Sequence, residues 1–227
     1  MDTVGKKSIS QEGLKLIACI TMLVDHFGAA VMPAMELRII GRIAFPIYCF
    51  LLAEGIDHTK NPKRYGLRLL AGAALAEIPF DLLFFGQVTL RHQSVMVTLL
   101  IGFLMAVWIR KKGRFCLPLA VAFFAAELLQ ADYGGTGVAL IALFLYSRKM
   151  EKPLLVQAVG MAGLMLLMGS VEVTIGIVDV PVQMFALLSL IPIGLYTGEK
   201  TTGSVWIQRV FYLFYPVHMM ILYFIVK

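Results

Sequence analysis

Charge is what this sequence has least of: only 15% of its 227 residues are Asp, Glu, Lys or Arg, against roughly 25% in a soluble globular domain. Together with the high apolar content described below, that shortage excludes both a water-exposed fold and a disordered chain. Cysteine is as thin. Cys19, Cys49 and Cys116 are scattered, without a Cys-x-x-Cys pair, which removes a disulfide framework and a thiolate metal site. Gly and Pro follow no period, so collagen-like and low-complexity chains are excluded too. What fills the space is apolar: 59% of the residues, with a mean hydropathy of +0.84. The net charge of +6 lies in short basic runs between apolar blocks, a topological pattern and not a nucleic-acid footprint. The composition is that of a polytopic membrane protein.

In lipid the backbone must satisfy its own polar groups, and the sequence lacks the short alternating segments of a barrel, so the expected fold is an all-α helical bundle. With about 20 residues needed per crossing, about nine transmembrane helices are predicted. They lie near 13–33, 39–57, 66–86, 92–110, 115–130, 134–147, 153–170, 181–198 and 205–226. The fifth and sixth are short and meet at Ala131-Asp132-Tyr133-Gly134-Gly135, a run of turn signals; the alternative is seven spans plus a re-entrant pair. Lys6 and Lys7 ahead of the first run imitate a signal peptide. That run is longer than an ordinary signal core and carries Asp25 and His26, so it is read as a retained span.

Orientation follows from the loops. With the N-terminus inside, one set holds fourteen basic residues: Lys6, Lys7, Lys60, Lys63, Arg64, Arg68, Arg110, Lys111, Lys112, Arg114, Arg148, Lys149, Lys152 and Lys200. The other set holds Arg38, Arg91 and Lys227. This bias predicts a cytoplasmic N-terminus and an external C-terminus. Residues 1–227 are expected to form a single domain with no appended soluble part, so function is expected inside the bilayer.

The charges embedded in the spans are therefore the informative ones: Lys15, Asp25, His26, Arg42, Glu54, Arg68, Glu77, Asp81, Glu127, Arg209 and His218. They concentrate in the first three spans and the last, which are expected to line a shared polar cavity, while spans four, seven and eight are expected to face lipid. Depth estimated from helix rise sorts them into two layers. An outer layer holds Asp25, His26, Arg42, Asp81 and His218; an inner one holds Lys15, Glu54, Arg68 and Arg209. Lys15 and His26 lie eleven residues apart, about 1100° of helix and so on one face, roughly 16.5 Å along the axis. A cation near the cytoplasm with a deep imidazole suits a long anionic cofactor entering from inside. Imidazole is the usual base at neutral pH, with Asp25, Asp81 or Glu77 in position to set its tautomer. Pro46, Pro79 and Pro216 are expected to kink their helices. The two His have no third residue at a metal-binding spacing, so no metal is expected.

Several stretches carry a resemblance. Leu14-Lys15-Leu16-Ile17-Ala18 leading to Val24-Asp25-His26-Phe27-Gly28 is one, followed by Arg38-Ile39-Ile40-Gly41-Arg42-Ile43-Ala44-Phe45-Pro46-Ile47-Tyr48 and Phe50-Leu51-Leu52-Ala53-Glu54-Gly55. Glu77-Ile78-Pro79-Phe80-Asp81, Ala131-Asp132-Tyr133-Gly134 and Phe211-Tyr212-x-Phe214-Tyr215-Pro216-Val217-His218 complete the set. Over essentially its whole length the chain resembles the TraX family. That family includes the acetylase of the N-terminal amine of F-type pilin and is similar to the acyltransferase-3 membrane acyltransferases. In that class a basic residue, ten intervening residues and a catalytic His mark the first span, and Lys15 and His26 have this spacing.

The resemblance implies a multi-pass acetyltransferase of the inner (cytoplasmic) membrane, using acetyl-CoA as co-substrate and His26 as general base. Asp25, Asp81 and His218 are expected with His26 at the catalytic centre, and Lys15, Arg42, Arg68 and Arg209 around acetyl-CoA. The acceptor is an amine or hydroxyl on a pilin-like peptide N-terminus, a small peptide, a sugar or a lipid, reaching the site from the outer side. The remaining expected partner is the lipid bilayer; no nucleic acid is expected. A proton-coupled small-molecule transporter is the rival, though the sequence shows no repeat symmetry. A pilus-assembly scaffold without catalysis leaves the embedded charges unexplained.

Overall fold

A computed structural model of the chain describes residues 8–169, 171–175, 178–199 and 205–227, with the side chains of 175 and 205–209 left out. The basic loop residues Lys6, Lys7 and Lys200, and the side chain of Arg209, lie outside the described part. The described chain is mostly helical. Helix α1, Gln11–Ala30, starts where the Ser10 hydroxyl accepts from Gly13 N at 3.2 Å. Next come α2, Met35–Gly41, and α3, Ala44–His58. Helix α4, Pro62–Phe85, is capped by Asn61 with Pro62 in its first turn, where no amide is needed, and ends at Gly86 with φ +70°. Then follow α5, Val95–Lys112; α6, Cys116–Leu128; α7, Gly134–Ser147; and α8, Pro153–Leu167. A hairpin of β1, Glu172–Ile175, and β2, Val178–Pro181, pairs Glu172 with Pro181 and Ile175 with Val178. A 3₁₀ helix, Val182–Ser189, runs into α9, Leu190–Gly194, and α10 is Val205–Val226.

The helices run between two ends. At one, Arg110 donates to Ile56 O at 2.6 Å and Arg148 pairs with Glu54 at 2.8 Å, which gathers the C-termini of α3, α5 and α7. Ile9 and Tyr196 pair as a short parallel bridge, holding the start of α1 to the end of α9. At the other end Asp132 N donates to Gln93 O at 2.9 Å, Thr98 donates to Asp132 O, and Arg38 grips Asp25. This joins the end of α1 to α2, and the start of α5 to the start of α7. Helices α6 and α7 run the whole way between the ends, as α5 does, rather than turning back halfway. The basic loops 59–61, 113–115 and 148–152 share the first end, as the alternating order requires.

Sequence periodicity located α7 and α10 well, and departures from it have local causes. The second predicted segment is two helices, because the chain tightens at Arg42 and Ile43, where Arg42 N bonds both Arg38 O and Ile39 O. Gly41 lies so close to α1 that a Cβ would fall 2.1 Å from Asp25 Oδ1. The eighth is mainly 3₁₀ helix, whose rise of about 2.0 Å per residue carries a short segment further than an α-helix would. Pro46 does not kink α3: it sits in the first turn, where its missing amide costs nothing. Helix α5 is central rather than peripheral, packing on α3, α4, α6 and α7. The core is aliphatic and aromatic, with Leu14, Ile47, Met105, Ile141, Phe144 and Met161 fully buried.

Two stretches, Gln11–Ala30 and Met35–His58, are long and apolar enough to cross a membrane by length and composition. Helices α6, α7 and α8 have 13, 14 and 15 residues, or roughly 20–22 Å of helix.

Candidate active site

His26, on α1, is joined across the bundle to His218 on α10, with Nδ1 of His26 2.7 Å from Nε2 of His218 and the rings nearly parallel. On its other side His218 Nδ1 lies 2.6 Å from the carbonyl oxygen of Phe214, one turn back. A carbonyl only accepts, so His218 Nδ1 carries a hydrogen. In neutral His218 the other nitrogen, Nε2, then accepts, so the proton between the rings belongs to His26 Nδ1. The Nε2 of a neutral His26 is left as a bare lone pair. Tyr215 and Phe84 close edge-on around the ring, at 5.8 and 5.9 Å between centroids.

His26 lines an outer cavity of about 380 Å³, together with Asp25, Arg38, Arg42, Tyr48, His92 and Tyr133. Its charges are mostly spoken for. Asp25 accepts from Arg38 at 2.8 Å and from Arg42 at 2.5 Å, and Arg42 also donates to Tyr133 Oη at 3.3 Å. Tyr133 holds a left-handed backbone, φ 64°, and stacks on Phe45 at 3.8 Å between centroids. Such a conformation costs an aromatic residue about 1–3 kcal/mol and persists only where surrounding contacts enforce it. In the turn before it, burial pushes the Asp132 carboxyl up from the ordinary carboxylate range, against the lowering effect of His92 and Arg42. A recess lined by Glu127, Gln130 and Thr136 opens beside this cavity and shares His92, Tyr133 and Met168 with it.

An inner cavity of about 400 Å³ lies nearer the basic end, lined by Lys15, His58, Lys60, Tyr65, Arg68 and Tyr212 among others. Here cations rest on rings: Lys15 Nζ is 5.5 Å from the centre of Phe211, and the Arg68 guanidinium is 5.5 Å from Tyr65 and 5.8 Å from Tyr212. The two cavities share Met22, Tyr48 and Val95. Lys15, Cys19, Met22 and His26, spaced on one face of α1, thus run from one chamber to the other.

The expected site residues divide accordingly. His26 and His218 come together, while Lys15 and Arg68 meet in the inner cavity. Arg42 does not join the inner cations; it faces the outer cavity, locked to Asp25. Neither Asp25 nor Asp81 touches His26. Asp81, 1% exposed, accepts from Thr89 N at 2.8 Å and leaves Oδ1 unpaired; Glu77 accepts from Ser94 N and Oγ at the start of α5. The partner of His26 is another histidine, and among the described residues no carboxylate bonds its ring. Sequence reasoning gave no role to Arg38, Tyr48, Tyr65, His92 or Tyr133. The Arg38–Arg42 spacing of one turn was the available sign for the first.

Among proteins of known sequence, a probable fimbrial assembly protein FimC, serogroup H1, of Dichelobacter nodosus is 29% identical over 246 aligned residues, covering 92% of each chain. An uncharacterized protein of Rickettsia prowazekii (strain Madrid E) is 26% identical over 145 residues, 60% of this chain and 55% of that one. No solved structure matches. The family model of TraX protein matches residues 10–226, and the chain therefore belongs to the TraX family.

Proposed function

We propose that this protein is a multi-pass acetyltransferase of the cytoplasmic membrane, taking acetyl from cytoplasmic acetyl-CoA through the inner cavity and giving it to an amine or hydroxyl held in the outer one. The observation that carries the reading is the bare Nε2 of His26, tautomer-fixed by His218, one chamber away from Lys15 and Arg68. The membrane setting is supported by large apolar side chains that point outward on α1, α4, α6, α8 and α10, including Ile20, Leu67, Phe124, Val159 and Phe224. Large apolar side chains spread over the outer faces of several helices are what a lipid surround accommodates. The shared end of the basic loops supports reading the inner cavity as the cytoplasmic one.

The residues fit the co-substrate. Lys15, Lys60 and Arg68 supply cations for phosphates, with Lys15 over the ring of Phe211 and Arg68 beside those of Tyr65 and Tyr212. The thioester supplies an activated acyl carbon. His26 Nε2 takes the proton of the attacking amine or hydroxyl as the new C–N or C–O bond forms, and returns it to sulfur as the C–S bond breaks. The acceptor approaches through the recess beside Tyr133. A pilin-like peptide N-terminus leads the acceptors because the Dichelobacter relative bears a fimbrial assembly name; small peptides, sugars and lipids follow.

Sealed inverted vesicles supplied with labelled acetyl-CoA outside test the reading. Label is expected in an acceptor peptide trapped in the lumen, and His26→Gln is expected to lower transfer at least about 10²-fold. Intact acetyl-CoA after incubation, or full transfer without His26, overturns it. A proton-coupled transporter leaves the thioester whole.

A further inference from the structure

An acetyl group passed from a donor in one chamber to an acceptor in the other has to change hands where the chambers meet. Three side chains line both cavities, Met22, Tyr48 and Val95. Two of them carry no hydrogen-bond donor. Acyl transfer nonetheless drives charge onto the carbonyl oxygen as the acceptor bonds to carbon, and in a dry site that charge is costly unless a donor already points at it. At the junction only one shared group answers that need.

We propose that Tyr48 is a catalytic residue, its hydroxyl donating a hydrogen bond to the thioester oxygen while His26 handles the proton. The assignment rests on the transferase reading above and adds a second group to it. Tyr48 comes from α3, whose surroundings at this level are closely packed: Ile47 and Cys49 on either side are fully buried. Its Oη lies 3.2 Å from Cys19 Sγ on α1. A tyrosine hydroxyl has one hydrogen and can accept others. If the thiol donates into the oxygen, the hydroxyl hydrogen is free to turn into the junction, and the contact both holds the ring and sharpens its donor. Cys19 sits between Lys15 and His26 on the same face of α1, so the helix that carries the cofactor cation and the base also props the donor.

The atoms balance without a further reactant. The acceptor forms its bond to the carbonyl carbon, Tyr48 shares its hydrogen with the oxygen while that oxygen is negative and keeps it, and the C–S electrons leave with sulfur toward the inner cavity. The proton collected by His26 ends on that sulfur.

Tyr48→Phe removes one oxygen and nothing else. With transfer measured in detergent-purified protein, kcat is expected to fall about 10²–10³-fold, with KM for acetyl-CoA within about twofold. An independent readout avoids turnover: acetyl-CoA carrying a ¹³C carbonyl is bound to the His26→Gln protein, and the carbonyl stretch is recorded. A shift to lower frequency relative to free acetyl-CoA, lost when Tyr48→Phe is added, supports the assignment. An unshifted carbonyl in His26→Gln, or a Tyr48→Phe protein with kcat within threefold of the parent, overturns it and leaves the transferase reading standing. Failure of the parent protein to bind or consume acetyl-CoA overturns both.

Discussion

The two cavities treat positive charge in opposite ways. In the outer one Arg38 and Arg42 converge on Asp25 at 2.8 and 2.5 Å, with Arg42 nearly buried, so their charge holds α1 against the turn between α2 and α3. In the inner one Lys15 and Arg68 lean on Phe211, Tyr65 and Tyr212. Among the described residues no carboxylate pairs with Arg68. A ring steers a cation without neutralising it, whereas a carboxylate pairs with its charge. Location near a cavity is therefore a poor guide to which arginine binds a ligand. What the cation already touches decides it.

Breaking the outer pair is expected to give the largest effect. Asp25→Ala strands a buried guanidinium and should cost about 3–5 kcal/mol of stability, read as a drop in the melting temperature of the detergent-solubilised protein. A melting temperature within a degree of the parent breaks the contrast. Arg68→Ala sharpens it from the other side. Stability should change by less than about 1 kcal/mol, the worth of its ring contacts, while KM for acetyl-CoA rises about tenfold or more with kcat little altered. A loss of stability matching that of Asp25→Ala would make both cations structural. The smallest effect is expected at the outer rim, where Gln130 holds φ 51° on an exposed turn. Gln130→Gly should stabilise by about 1 kcal/mol by removing the left-handed penalty, read as a rise in melting temperature; destabilisation would mean that the side chain holds the turn.

Much of the helical order could be read from the chain because apolar runs and basic loops mark it. Segments 134–147 and 205–226 coincide with α7 and α10. The hairpin at Glu172–Pro181 and the 3₁₀ stretch after it escaped, since a short apolar run looks alike in either helix and the strands carry little alternation. The break at Arg42 is set by the approach of Gly41 to Asp25, a contact no local pattern records. For the site, the eleven-residue interval joining Lys15 and His26 was legible because a helix converts interval into face. The partner of His26 was harder to choose. Three carboxylates lay within plausible depth, and the group that binds it stands 192 residues along the chain. Depth from helix rise also put Arg42 in the outer layer, yet depth is silent about pairing, and the pairing with Asp25 is what separates it from Lys15 and Arg68.

The histidine pair has a further consequence, for where a proton can go. The line runs from His26 Nε2 through its ring to His218 and stops at the carbonyl of Phe214, an atom that neither takes up nor passes on a proton near neutral pH. The pair is a cul-de-sac with room for one proton and a single door. Charge entering at Nε2 can be shared between the two rings through the hydrogen between them, then must leave by the way it came. A conduit needs a second exit on the far side, which this line lacks; a loan returned within one turnover needs only the door at Nε2.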